Sequence, residues 1–87
     1  MVIRGEKELH ILVVDDSTSY RRLLSRHIQT WGGYKVIEAA VGVQALDIIM
    51  NKNISMVISD WEMPDLNGFE LCQAVRSAAL DHYVYFI

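Results

Sequence analysis

Asp60 closes a short apolar run, Met56-Val57-Ile58, and is followed at once by Trp61-Glu62-Met63-Pro64 and then Asn67-Gly68. A carboxylate delivered at the C-terminal end of a buried strand is costly to desolvate unless it does chemistry. A second acidic pair, Asp15-Asp16, closes an earlier run, Ile11-Leu12-Val13-Val14. If the two runs are neighbouring parallel strands, three carboxylates meet at one edge of one sheet. Two carboxylates about 5 Å apart repel by about 3 kcal/mol at an effective dielectric of about 20. A fold that gathers three must offset this with a cation or by protonating one of them. Hard oxygen donors suit Mg²⁺, which takes only a few protein oxygens and keeps several waters. A metal held there attracts a phosphoryl group and stabilises its transferring oxygens. A single aspartate after a strand is more often an ordinary loop residue. The pair and the third acid on two central strands make the pattern informative.

The elements that must position these acids are readable along the chain. Leu9 to Val14 is a continuous apolar run rich in β-branched residues, the signature of a strand buried on both faces. Ser17 offers an N-cap, with Thr18 and Ser19 as alternatives in register. Tyr20, Leu23, Leu24, Ile28 and Trp31 recur at helical spacing, predicting a helix over Ser19 to Trp31 with that stripe inward. Arg21, Arg22 and Arg26 then fall on its solvated side. Gly32-Gly33 ends the helix. Tyr34 to Ala39 alternates polar with apolar and reads as an edge strand. Gly42 to Asn51 reads as a second helix with Ala45, Leu46, Ile49 and Met50 inward. Asn51-Lys52-Asn53 is a turn. Ile54 to Ser59 is the third strand. Asn67 with Glu70 fits a capping box at the start of a third helix, whose inner face is Leu71, Cys72, Val75 and Ala79. Tyr83 to Ile87 reads as a fourth strand. Strands alternating with helices imply right-handed crossovers and a parallel sheet.

Bulk composition bounds the function. With 52% hydrophobic and 22% charged residues, the 87-residue chain is one small globular domain. A net charge of −3 gives no basic footprint for nucleic acid. The one cysteine, Cys72, has no internal disulfide partner, which suits a reducing compartment. No apolar run approaches the roughly 20 residues of a membrane-spanning helix. Met1 to Glu8 has no apolar core and reads as a frayed leader rather than a signal peptide. The expectation is a cytoplasmic protein with no membrane or nucleic-acid partner. His10, His27 and His82 have no metal-ligand spacing and read as surface or packing residues.

The stretches Ile11 to Ser17 and Ile58 to Pro64, with Asn67-Gly68, resemble the receiver domain of two-component response regulators. The resemblance covers the chain from Leu9 onward. It implies a flavodoxin-like, three-layer α/β fold with strand order 2-1-3-4. It also implies that Asp60 is the phosphoacceptor, attacking the phosphoryl group of a phosphohistidine on a sensor histidine kinase or phosphotransfer protein. By the same resemblance, Asp15, Asp16, Asp60 and the backbone carbonyl of Glu62 hold Mg²⁺. Pro64 and Gly68 shape the turn over the site, and the first helix is the kinase-docking surface. Val41 stands where the family often has a polar helix start, leaving the second helix weakly capped.

The family continues past its fourth strand with a hydroxyl residue, a lysine and further elements. On this reading residues 9–87 form a receiver truncated after β1-α1-β2-α2-β3-α3-β4, preceded by the leader 1–8. It is expected to bind Mg²⁺ weakly, to hold a phosphoryl group poorly, and to self-associate through the fourth strand or the first helix. Two alternatives remain open. One is a degenerate module that binds partners without phosphorylation. The other is a metal-dependent phosphatase with an aspartate nucleophile, although such enzymes commonly carry Asp-x-Asp at the end of their first strand. The receiver reading is of a signalling domain rather than a turnover enzyme.

Overall fold

The computed structural model describes residues 9–87; the leader expected over 1–8 lies outside the described residues. Four strands and three helices alternate: β1 (Leu9–Val14), α1 (Thr18–Thr30), β2 (Tyr34–Ala39), α2 (Gly42–Asn51), β3 (Met56–Ser59), α3 (Gly68–Ser77) and β4 (Tyr85–Phe86). All pairings are parallel, and the sheet runs β2-β1-β3-β4. The expected strand order therefore holds, and β2 is an edge. Leu9 pairs with Tyr34 and Val14 with both Ala39 and Ser59, so β1 is flanked throughout its C-terminal half.

Alternate residues of β1 enter two separate cores. Leu12 and Val14 pack with Ala45 and Ile49 of α2 and Leu71 and Val75 of α3. Ile11 and Val13 pack on the other face with Ile28 of α1. The period of two along a strand makes this division, and it fixes three layers. Among the described residues, no helix is long and apolar enough to cross a membrane.

The helix ends follow the sequence closely. Ser17 caps α1 by accepting from the Tyr20 N–H at 3.3 Å. Gly32 and Gly33 leave the helix at φ 74° and 77°, where a Cβ would be strained. Asn67 and Glu70 form the expected reciprocal capping box on α3.

The inward face of α1 differs from expectation. Tyr20, Leu23 and Trp31 are 56, 58 and 63% exposed, while Arg21, Ser25 and Ile28 are buried. Leu24 and Ile28 hold their expected inward places, packed with Ile11 and Val13, but Tyr20, Leu23 and Trp31 do not, and Arg21 and Ser25 take the inward positions that hydrophobic spacing had left to solvent. Arg21 is buried since its guanidinium finds two partners there, and Ser25 donates its hydroxyl to the Arg21 carbonyl. Four smaller departures concern ends. Met50 at the end of α2 is exposed, β4 is shorter than Tyr83–Ile87, and Ala79 lies beyond α3 at φ 53° rather than on its inner face. β3 likewise begins at Met56, not Ile54.

Candidate functional site

The last rungs of the sheet deliver the acids. The Asp15 N–H donates to the Ala39 carbonyl at 3.1 Å, and the Asp60 N–H donates to the Val14 carbonyl at 3.0 Å. Asp15 and Asp60 thus leave adjacent strands side by side at one edge. Asp15, Asp16 and Asp60 each offer a carboxylate oxygen within 4.8 Å of the others. Asp15 is buried, Asp60 half-buried and Asp16 exposed, so the cluster runs from the sheet edge out to solvent. One Asp15 carboxylate oxygen accepts from the Ser17 N–H at 2.8 Å, which sets that side chain's direction. The gathered charge calls for a cation, and oxygen-only donors at this spacing fit a hard divalent ion such as Mg²⁺.

The β3–α3 loop frames the other side. Gly68 donates its N–H to the Trp61 carbonyl at 3.1 Å, folding the loop back over Asp60. A Cβ at Gly68 would lie 2.8 Å from the Asp60 carbonyl oxygen, so the close approach needs glycine. Met63 turns inward and anchors the loop in the core beside Leu71. Glu62 and Pro64 are exposed on the loop. Trp61 is exposed and, with Tyr20, Leu24 and Ile58, lines a cleft of about 180 Å³ that opens on Asp15 and Asp60.

Two residues of this region escaped the sequence reading, Asp65 because it was given no role and Arg21 because it was placed on the solvated side of α1. Asp65 reaches back from the loop to α2, where its two carboxylate oxygens accept from the Gly42 and Val43 N–H groups at 3.1 Å each. Val41 contributes no side-chain cap, so α2 is capped from the loop instead. These backbone donors, the Val43 N–H foremost, hold the Asp65 carboxyl below its ordinary pKa. The only available signal was an apolar N-cap position paired with an unassigned aspartate elsewhere. Arg21 is the second. Its Nε donates to Glu38 Oε1 at 2.9 Å and its Nη1 to the Asp15 carbonyl at 2.8 Å.

The parallel sheet with helices on both faces and an acidic triad at its C-terminal edge has counterparts among known proteins. Residues 11–87 match the response regulator receiver domain, and the chain belongs to that family. Its curated relatives include a chemotaxis protein CheY homolog of Campylobacter jejuni, 40% identical over 79% of this chain and 54% of the relative. Chemotaxis protein CheY1 of Helicobacter pylori is 39% identical over 79% of this chain and 56% of that protein. The chain thus spans about half the length of these relatives. Among solved structures, Vibrio cholerae CheY4 superposes with a TM-score of 0.78 at 38% identity, covering 84% of this chain and 60% of that one. The response regulator TrrA of Thermotoga maritima, solved in complex with Mg²⁺-BeF, gives 0.79 at 36% identity, covering 87% and 65%.

Proposed function

We propose that this chain is a phosphoacceptor module of two-component signalling, taking a phosphoryl group on Asp60 from a phosphohistidine of a sensor kinase or phosphotransfer protein. The observation that carries the reading is the meeting of the Asp15, Asp16 and Asp60 carboxylates within 4.8 Å at the sheet edge. Asp15 and Asp16 would hold Mg²⁺ with an oxygen of Asp60 and the Glu62 carbonyl. When bound, the ion neutralises charge that develops on the transferring phosphoryl oxygens. Asp60 is the nucleophile: a carboxylate oxygen attacks phosphorus, the bond to the imidazole nitrogen breaks, and an acyl phosphate results. Asp60 follows the last residue of β3, half-buried in the lining of the cleft. The module takes up and loses one phosphoryl group, and acts as a signal rather than a turnover catalyst. Both partners and module are proposed to be cytoplasmic.

Charge governs how long the group would stay. An acyl phosphate brings about −2 and Asp15 and Asp16 bring −2, against +2 from Mg²⁺, so about −2 remains. Among the described residues, the two lysines are remote from this edge: Lys35 pairs beside His10 near the start of β2, and Lys52 follows α2. With excess negative charge left at this edge, the chain is expected to hold the phosphoryl group poorly. Exposed Tyr85 and Ile87 support the further proposal that β4 lets copies of the chain associate. Sedimentation across a concentration series tests that; a monomer throughout refutes it.

The function itself is tested by exposing the chain to a small acyl phosphate with Mg²⁺ and weighing the intact protein. One added phosphoryl mass is expected in wild type, none in Asp60→Asn, and none in wild type with chelator. Equal modification of wild type and Asp60→Asn overturns the assignment.

A further inference from the structure

Arg21 is the buried cation closest in the hydrogen-bond network to the acidic cluster, and it contacts none of the three carboxylates. Its guanidinium spans two elements, bonding Glu38 of β2 through Nε and the Asp15 carbonyl through Nη1. Desolvating a guanidinium is expensive unless charge-assisted bonds recover the cost, and both bonds are of that kind. Asp15 is consequently held at three points: its N–H by Ala39, its carbonyl by Arg21, and one carboxylate oxygen by the Ser17 N–H. We infer that Arg21 is a positioning residue of the site, locking the Asp15 peptide so that its carboxylate faces Asp16 and Asp60. The inference rests on the proposed Mg²⁺ site and concerns how that site is held in shape.

Electrostatics and positioning give opposite signs, which makes the proposal decidable. If Arg21 acted only as a nearby positive charge, removing it would tighten Mg²⁺ binding. If it locks Asp15, removing it loosens a ligand and weakens binding. Groups that orient metal ligands from behind typically carry about 10–100-fold of metal affinity. Lysine keeps the charge but lacks the planar fork that reaches two acceptors in fixed directions, so it should rescue poorly.

The test titrates Mg²⁺ into isotopically labelled full chain and follows the Asp15–Ser17 and Asp60–Trp61 amide resonances. Arg21→Met is expected to weaken Mg²⁺ binding about tenfold, Arg21→Lys several-fold, and the exposed-site control Arg22→Met less than twofold. Unchanged or tighter binding in both Arg21 variants overturns the inference. Should Arg21→Met fail to fold, Arg21→Lys decides by the same criterion. A second readout needs no metal: the Ser17 amide should exchange with solvent about tenfold faster in Arg21→Lys, with the Leu12 to Val14 amides unchanged. Asp16→Asn tests the metal site itself. If wild type and Asp16→Asn bind Mg²⁺ alike, the site reading fails, and an unchanged Ser17 exchange rate then overturns the positioning role separately.

Discussion

Replacing Gly42 with alanine should destabilise the chain, although alanine is the better helix former. Gly42 begins α2, and a Cβ there would sit 2.2 Å from the Leu66 carbonyl oxygen and 2.7 Å from the Leu66 Cβ. The obstruction includes backbone, so the β3–α3 loop must retreat by about an ångström or α2 must shift. Either movement draws Asp65 away from the Gly42 and Val43 amides it caps. Forcing an extra carbon into a filled space costs about 1–3 kcal/mol. The smaller unfolded-state entropy of alanine returns about 0.4–1 kcal/mol. At mid-range the clash wins by about 1 kcal/mol, equivalent to about 4–8 °C in melting temperature for a domain of this size. Thermal denaturation followed by circular dichroism measures it. Amide spectra of the variant should show shifts in the loop and the first turn of α2 together. A melting temperature equal to or above wild type would refute the reasoning, because it would mean the loop moves aside freely.

Two further outcomes follow from the packing and the charges. Ile28→Ala is expected to lose about 2–5 kcal/mol and Leu23→Ala less than about 0.5 kcal/mol by urea denaturation; similar losses would put the inward face of α1 elsewhere. His82 donates from both ring nitrogens only as imidazolium, facing Asp81 at 2.9 Å and the Ile54 carbonyl at 3.0 Å. The Asp81 hydrogen bond, ahead of the Ile54 carbonyl and the Asp81 charge, raises its pKa above the ordinary histidine value. Because the folded value is the higher one, this contribution is fully present below the unfolded pKa and disappears as pH climbs through the folded one. The stability gap between wild type and His82→Gln should therefore be full below pH 6.5, the ordinary histidine value, and close as pH rises above it. A gap that widens with pH would contradict it.

Much of this fold is legible in the sequence, since the strong signals are local. Leu9 to Val14 announces a strand buried on both faces, and Asn67 with Glu70 announces a helix start; both are settled by neighbours in the chain. The acidic cluster is legible too, for Asp15 and Asp60 each close an apolar strand, and the order that makes those strands neighbours is the one the receiver resemblance implies. What escapes is long-range. The face of α1 depends on Arg21 meeting Glu38, 17 residues away, and the cap of α2 depends on Asp65, 22 residues beyond Val43. Spacing along one helix cannot reveal that a polar side chain has a partner waiting on another element. Tyr20, Leu23 and Trp31 look like core for the same reason, because apolar character alone does not say whether space for a ring exists beneath it.

The register of β1 against β3 has a consequence for quality control. Val14 pairs with Ser59, and each strand gives its acid one residue later. The sheet works as a ruler: only the correct alignment brings Asp15 and Asp60 abreast. A slip of one residue would turn β3's side chains over and carry the Asp60 carboxyl to the other face. On the proposed function, phosphoryl uptake at Asp60 would count correctly aligned molecules and so serve as an assay of folding fidelity.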